Sequence, residues 1–329
     1  MSIFFRFMSV FLLFNYAQCF AGSETLINSP SQSKKTIAKL YHTLQNNPKF
    51  DMAERLEIIS ASFLNKPYLL GALGEGNDAR YDQSPLYRTD GFDCDTLVNT
   101  VLAIALAANQ QVFPFCLRNL RYKNGEVDFI SRNHFTSLDW NLNNQKQGYL
   151  QDITQSFKTD NNQPVAKIAS AVIDKPSWYE HFDLTHIKLN NADKIEQQKR
   201  MDELKKRASH LPVLKAEIPY IPLNKLFDEL GNANQALFSQ IPNAAIVEIV
   251  RPNWDLRAQI GTCLNISHLG FVFWKNNTLF FRQASSNFQK VIDVSLIDYL
   301  KDARSSPTIK GINIQIVVPK KPLQADCTV

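Results

Sequence analysis

The first two thirds of the chain place apolar residues at helical spacing. Residues 33–64 predict two helices, because apolar positions recur every three to four residues and Asp51 is a suitable start for the second. Residues 96–108 are apolar on nearly all sides, which is typical of a buried helix, and Asp93 is a suitable N-cap for it. Residues 192–209 are highly charged at helical spacing, so a helix with a solvated face is favoured over a partner-binding helix.

The pattern changes to strands from residue 244 onward. A hairpin turn is expected at residues 275–277, and the strands are expected at residues 244–250, 265–274, 277–286 and 312–318. Helices followed by an antiparallel sheet indicate an α+β fold. We expect a single domain over residues 22–329, with a helical insertion near residues 160–235.

The N-terminus has the three parts of a secretory signal peptide. Arg6 precedes a short apolar core at residues 7–14, and a small-residue cleavage site ends at residue 21. The apolar core is far shorter than the ~20 residues that a membrane span needs. Acylation of Cys19 is the alternative, and the large polar Gln18 before it disfavours this. We therefore expect a signal peptide at residues 1–21, a periplasmic or secreted protein and no stable membrane insertion after cleavage.

Composition and motifs exclude several functional classes. Hydrophobic residues make up 44% of the chain and the formal net charge is only +5, without a dense run of Lys and Arg among aromatics. We therefore expect no nucleic-acid partner, whereas a mildly basic surface suits an anionic polymer such as a cell wall. No metal or other cofactor is expected, because the chain has no H-E-x-x-H or C-x-x-C motif. The absence of G-x-S-x-G disfavours a serine hydrolase.

Four cysteines follow the predicted cleavage site, too few for a disulfide scaffold: Cys94, Cys116, Cys263 and Cys327. One disulfide among the last three would suit an oxidising compartment, and the sequence leaves the pairing open. Cys94 is different because it stands at the start of the predicted buried helix, where the helix N-terminus favours a nucleophilic thiolate. Asp93 and Asp95 oppose this, so a nucleophile here needs a basic partner; the alternative is an inert buried cysteine.

His268 is the histidine best placed to be that partner. It lies on a predicted strand among apolar residues, where an imidazole either meets a partner or costs stability. The hairpin then returns Gln283, whose amide could orient the imidazole ring. The alternative is a core histidine with satisfied hydrogen bonds.

The order of these motifs resembles a known family of secreted bacterial proteins. A helix-borne Asp-Cys, a strand-borne His-x-Gly and a polar residue before Ala-Ser follow the order of NlpC-type papain-like cysteine peptidases. More closely, the chain resembles the N-acetylmuramoyl-L-alanine amidase-like family. The matching stretches are FLNKPYLLGALGEG, FDCDTLVNTVLAIALA, RYKNGEVDFISRNHFTSLDW and ISHLGFVFWKNNTLFFRQASS, which together span roughly residues 60–300.

The resemblance implies a papain-like fold, with the nucleophile at the N-terminus of a buried helix packed on an antiparallel sheet. It assigns Cys94 as nucleophile, His268 as general base and Gln283 as the third member of a triad. It implies a thiol-dependent amidase or peptidase that acts on peptidoglycan or a muropeptide. The residues expected to bind substrate are Tyr68, Asp95, Ser131, Arg132 and His134.

Several positions depart from the family pattern and leave the substrate open. Asp95 stands where relatives usually have Thr, Asn99 where they often have Glu, and Phe135 where they have an aromatic hydroxyl. The amide that is cleaved could belong to the muramoyl–L-Ala linkage or to the stem peptide. Two alternatives remain: an effector that uses the same cysteine chemistry on a host substrate, and an inactive cell-wall binding module.

Overall fold

The computed structural model describes residues 30–47 and 49–329. The predicted signal peptide and Cys19 lie outside these residues. The helices, in chain order, are α1 Pro30–Gln45, α2 Met52–Ala61, α3 Cys94–Leu106, α4 Phe113–Arg121, α5 Asn141–Lys146, α6 Lys175–Glu180, α7 Lys194–Ala208, α8 Leu223–Leu226, α9 Gln235–Phe238, α10 Arg257–Ile260 and α11 Leu296–Ala303. The strands are β1 Leu150–Asp152, β2 Lys167–Asp174, β3 Val213–Pro222, β4 Ile246–Asp255, β5 Cys263–Lys275, β6 Thr278–Ser285, β7 Lys290–Ser295 and β8 Gly311–Val317.

The strands of the described chain form one antiparallel sheet in the order β2-β3-β8-β4-β5-β6-β7, and β1 also pairs with β8. The β5–β6 hairpin closes through Asn276 and Asn277, which both have positive φ angles of 49° and 59°. Such a two-residue turn favours Asn because its short polar side chain tolerates the left-handed region. The predicted combination of helices with an antiparallel sheet is confirmed.

The two faces of the sheet pack against different sets of helices. On one face, Leu269 and Phe271 of β5 join a core that includes α1, α2, α3 and α4. On the other face, Val272 of β5 and Phe281 of β6 join a core with α11. Successive residues of a strand point to opposite faces, so β5 contributes to both cores. This strand also carries His268.

The buried helix α3 begins with reciprocal capping. The Asp93 carboxylate accepts a hydrogen bond from the Thr96 backbone N–H at 2.8 Å, and the Thr96 hydroxyl accepts one from the Asp93 N–H at 2.9 Å. Every residue from Thr96 to Leu106 is buried. The cap satisfies backbone donors that would otherwise be buried without partners, which fixes Cys94 as the first helical residue.

Most other predicted elements are present, with one region richer in strands than expected. The helices α1, α2 and α7 and the strands β4, β5, β6 and β8 correspond to predicted elements. The segment 160–235, expected to be helical, contains α7 but also the strands β2 and β3, which pair over eight residues. The helical description of this segment is therefore corrected. Its role as an insertion into a single domain stays a prediction.

A disulfide joins Cys116 of α4 to Cys327 and resolves the pairing that the sequence left open. The Cα atoms are 5.1 Å apart, and 211 positions separate the two cysteines along the chain. The free cysteines among the described residues are Cys94 and Cys263. No helix in residues 30–47 and 49–329 has the length and apolar character needed to cross a membrane.

Candidate active site

The loop before α3 is anchored closely around Cys94. The Phe92 N–H donates to the Pro67 carbonyl at 3.0 Å, and the Leu69 N–H donates to the Phe92 carbonyl at 2.9 Å. The Gly71 N–H donates to the second carboxylate oxygen of Asp93 at 2.8 Å. Asp93 therefore caps the helix and holds the loop at the same time, which makes the position of the neighbouring thiol rigid.

Tyr68 belongs to this loop. Its backbone N–H donates to the carbonyl of Gln289 at 3.0 Å, at the turn between β6 and β7. The residue also forms a bridge with Phe92, two positions before Cys94. The structure thus places Tyr68 beside the cysteine-bearing segment, and its role in substrate binding stays a prediction.

The Cys94 thiol lies at the start of α3, half-buried. Burial raises its pKa well above the usual range for cysteine, and the negative charges of Asp93 and Asp95 raise it further. The backbone N–H groups of Leu269 and Asp95 act in the opposite direction without overcoming burial. The backbone N–H groups at the helix start and the two carboxylates thus act in the directions expected from the sequence, and desolvation makes the net shift of the thiol pKa upward.

His268 is held by a hydrogen bond and by aromatic packing. Its Nε2–H donates to the side-chain carbonyl of Gln283 on β6. Tyr299 of α11 stacks on the imidazole at 6.4 Å between ring centroids, and Phe281 meets it edge-on at 5.8 Å. Burial lowers the His268 pKa to about 4, against opposing contributions from Gln283 and Asp93. The ring is therefore neutral at neutral pH, and its Nδ1 is available as a proton acceptor.

The Cys94 thiol lies beside the strand that carries His268. The thiol interacts with the backbone N–H of Leu269, the residue directly after His268. Tyr299 stacks on His268, and the charge of a Cys94 thiolate also raises the Tyr299 pKa. A Cβ at Gly270 would lie 2.5 Å from the Arg282 carbonyl, so the His-x-Gly pattern reflects close strand packing. No sequence motif connects Tyr299 to the cysteine, so its place beside His268 is visible only in the structure.

A cavity of about 170 Å³ opens beside the start of α3. Of the predicted substrate-binding residues, Asp95, Arg132 and His134 line it, whereas Tyr68 and Ser131 are not among its lining residues. Several other lining residues belong to no functional motif of the sequence: Leu73, Arg121, Asn133 and Trp140.

Arg132 is already engaged by carboxylates of the protein itself. Its Nε donates to the Glu75 carboxylate at 2.7 Å, and its Nη2 contacts Glu75 and, at 3.1 Å, Asp82. The guanidinium also lies over the Phe129 ring, 4.7 Å from its centroid. The expected contact of Arg132 with substrate is therefore restricted to Nη1, for which the described residues supply no hydrogen-bond acceptor.

The His134 side chain packs against neighbouring residues and also lines the cavity. Its Nε2–H donates to the Phe129 carbonyl at 2.8 Å, and its ring lies 4.8 Å from Trp178 between centroids. Burial and the charge of Arg132 lower the His134 pKa well below its usual value. The imidazole is thus neutral, and its Nδ1 is a hydrogen-bond acceptor.

Asp95 begins a hydrogen-bonded chain that lines the cavity. Asn99 Nδ2 donates to the Asp95 carboxylate at 3.0 Å, and Asn99 Oδ1 accepts from the Trp140 indole at 2.8 Å. Burial, with help from the charge of Asp93, raises the Asp95 pKa to about 7. The two departures at Asp95 and Asn99 therefore occur together, as direct partners in one wall of the cavity.

The family model described as AmiA-like, N-acetylmuramoyl-L-alanine amidase-like, matches residues 58–309. The protein LPG0564 from Legionella pneumophila, labelled DUF1460 without a named activity, is 58% identical and superposes with a TM-score of 0.87; the match covers 89% of this chain and 97% of that one. An N-acetylmuramoyl-L-alanine amidase from Bacteroides uniformis is 25% identical with a TM-score of 0.55, over 80% of this chain and 99% of that one. A search of curated proteins found no match.

The family match and these structures define an amidase-like protein with a mixed helical and antiparallel architecture. The chain belongs to the AmiA-like, N-acetylmuramoyl-L-alanine amidase-like family, whose model covers the loop before α3, the helix itself and the β5–β6 hairpin.

Proposed function

We propose that this protein is a cysteine hydrolase that cleaves an amide bond of bacterial peptidoglycan, with Cys94, His268 and Gln283 as a triad in an NlpC-type papain-like fold. One arrangement carries the proposal. Cys94 stands at the capped start of a buried helix, beside the strand on which His268 donates its Nε2–H to Gln283. Gln283 selects the tautomer that leaves Nδ1 unprotonated, as a general base requires.

The acyl transfer starts from a neutral pair, because the thiol pKa is raised and the imidazole pKa is lowered. His268 Nδ1 accepts the thiol proton as the sulfur of Cys94 attacks the substrate carbonyl. Backbone N–H groups near the start of α3 stabilise the oxyanion. The C–N bond then breaks, the imidazolium protonates the leaving amine, and a thioester remains on Cys94.

Hydrolysis of the thioester completes the cycle. His268 accepts a proton from water, the hydroxide attacks the thioester carbonyl, and the C–S bond breaks. The acyl product leaves as a carboxylic acid, and the proton returns to the thiolate. The cavity beside α3 accommodates the part of the substrate next to the cleaved bond, in contact with Asp95, Nη1 of Arg132 and Nδ1 of His134.

Two observations support action outside the cytoplasm. The N-terminal sequence has the form of a signal peptide, and Cys116 and Cys327 form a disulfide. Disulfides persist in oxidising compartments such as the periplasm. Peptidoglycan is accessible there, and the mildly basic chain suits an anionic polymer.

Mass spectrometry of the soluble products from purified peptidoglycan tests the proposal. The wild-type protein is compared with Cys94→Ala and, as a matched control, with Cys263→Ala, which removes the other free cysteine described. We expect new fragments from the wild type and Cys263→Ala, and none from Cys94→Ala; their masses identify the bond. Identical traces from all three folded, reduced proteins would contradict the proposal and favour a binding module or a host-directed effector.

A further inference from the structure

A second cavity, of about 380 Å³, lies at the opposite end of α3 from Cys94. Gln110 and Gln111, in the turn after α3, form one side of it, and Lys34 of α1 forms another. The thirteen residues of α3 rise by about 20 Å, so this cavity is separate from the candidate active site. Its volume falls in the range of about 300–1,000 Å³ that is typical of small-ligand sites.

The floor of the cavity is apolar and carries one accessible aromatic ring. Ile37, Phe113 and Pro114 line it together with Tyr87. Tyr87 is half-buried and packs edge-on against Phe113, with 5.2 Å between ring centroids. A supported ring of this kind suits stacking with the apolar face of a ring-shaped ligand, as occurs in sugar binding.

The rim of the cavity supplies hydrogen-bonding groups and positive charge. Gln110 Nε2 donates to the Lys34 carbonyl at 3.2 Å, which orders the side chain and leaves its Oε1 as an acceptor. Among the described residues that line the cavity, Lys34 carries the only charge. Lys35 adds positive charge on the same helix, and α1 contains no acidic residue. The mouth therefore favours an anionic ligand.

We propose that this cavity is a glycan-binding exosite for a sugar that bears both an N-acetyl group and a carboxylate. The inference rests on the proposed function. When an N-acetylmuramoyl amide is hydrolysed, its C–N bond breaks, water oxygen bonds to the acyl carbon, and the leaving nitrogen gains a proton. The acyl carbon becomes a carboxylate on the sugar, so the cut glycan carries a charge that the uncut one lacks.

Each group of the cavity has a role in this recognition. The Lys34 ammonium pairs with the new carboxylate, the glutamine amides face the N-acetyl group, and the Tyr87 ring stacks on the sugar. N-acetylglucosamine shares the ring and the N-acetyl group and lacks the carboxylate. The site would therefore retain the enzyme on glycan that has already been processed.

Titration of Cys94→Ala with N-acetylmuramic acid, monitored by NMR or calorimetry, tests the exosite without turnover. We expect Lys34→Gln and Tyr87→Ala, each added to Cys94→Ala, to weaken binding at least tenfold. Lys39→Gln is the matched control, because it removes an exposed lysine of α1 that does not line the cavity, and it should leave the affinity within twofold. N-acetylglucosamine should bind at least tenfold more weakly than N-acetylmuramic acid.

Unchanged affinity in Lys34→Gln, or equal affinity for the two sugars, would overturn the exosite. Loss of binding in His268→Ala, with binding retained in Lys34→Gln, would assign the sugar to the active site instead. Lys34 is exposed, so its replacement leaves the protein folded even if Tyr87→Ala does not. Because binding is measured on the Cys94→Ala protein, its outcome is independent of whether the wild type hydrolyses peptidoglycan.

Discussion

Two buried ionisable groups lie on neighbouring strands, and burial has different consequences for them. One is His268 beside Cys94, and the other is Glu248, which forms a polar cluster with Asn141 and Asn144. Glu248 of β4 lies directly opposite Leu269 of β5, one residue from His268. Burial keeps His268 neutral, and burial also raises the Glu248 pKa to about 8. Desolvation therefore acts in the same direction at both places, towards the uncharged form.

The two groups differ in their hydrogen-bond partners and in the residues that lie beside them. The His268 Nε2–H has its acceptor in Gln283, and β5 lies beside the half-buried Cys94 thiol, which interacts with the Leu269 N–H. Glu248 accepts one hydrogen bond from Asn141 at 3.0 Å, whereas Glu248 Oε1, Asn141 Oδ1 and Asn144 Oδ1 are buried without a partner among the described residues. A shifted pKa alone thus does not identify an active site; an oriented imidazole on a strand beside a partly exposed thiol is the stronger indication.

The largest effect should come from the base. His268→Ala should lower kcat/KM on peptidoglycan by about 10²–10⁴-fold, because general-base catalysis contributes rate enhancements of that order. Thermal unfolding should change little by comparison. Product release measured chromatographically checks the loss, with Cys263→Ala as the control; wild-type turnover in His268→Ala would contradict the triad.

Removal of the disulfide should lower the stability of the protein strongly and leave its catalytic activity unchanged. Cys116→Ser should lower the free energy of unfolding by about 2–4 kcal/mol, since the bond restricts the unfolded chain across 211 positions. Denaturant unfolding of the oxidised proteins measures the change. The activity per folded molecule should remain near wild type, and a selective loss of activity would instead connect the disulfide to the site.

The Glu248 cluster should affect stability through pH. Because the pKa rises from 4.5 to about 8 on folding, the native state retains a proton that the unfolded state has released between these values. The free energy of unfolding contributed by Glu248 is therefore fully present below pH 4.5 and is lost as the pH rises to about 8. Glu248→Gln supplies a neutral donor permanently, so it should unfold at a higher temperature than wild type at pH 8.

Wild type and Glu248→Gln should unfold at similar temperatures well below pH 4.5, where Glu248 is protonated in both the folded and the unfolded state. Calorimetry at the two pH values gives the comparison. Equal unfolding temperatures of wild type and Glu248→Gln at pH 8 would show that the folded protein does not hold Glu248 neutral. The comparison of Glu248 with His268 would then no longer apply.

The smallest effects concern pH dependence at the active site. The kcat/KM of the wild type should be retained above pH 4 and lost as the pH falls through about 4, because His268 acts in its unprotonated form. Asp95, with a pKa of about 7, should add a shallow inflection near neutral pH. Asp95→Asn should abolish that inflection and change kcat/KM only several-fold, and an unchanged inflection would assign it to another group.

The local sequence was sufficient to predict those elements whose structure is determined by a single segment of the chain. The Asp93 cap and the apolar run after Thr96 define α3, and the Asn276–Asn277 turn defines the β5–β6 hairpin. In contrast, β3 contains Pro219 and Pro222, which weaken a strand pattern, and it is stabilised by pairing with β2 and β8.

The site was predictable only in part for the same reason. Cys94, His268 and Gln283, the proposed triad, were singled out by a helix start, a strand pattern and a hairpin. Tyr299, Arg121 and Trp140 come from separate segments that tertiary packing brings together, and no local pattern marks them. The net direction of the thiol pKa shift could not be predicted, because the helix N-terminus and the carboxylates are visible in the sequence, whereas the extent of desolvation is not.

The Cys116–Cys327 bond also has a consequence for how the protein is made. Cys94 is synthesised shortly before Cys116, and Cys263 also precedes the correct partner, so oxidation in order of synthesis would join the wrong sulfurs. A Cys94–Cys116 bond would consume the proposed nucleophile. Preparations refolded in a thiol–disulfide exchange buffer should therefore contain a larger active fraction than those oxidised rapidly in air, since exchange allows mispaired chains to reach the native bond.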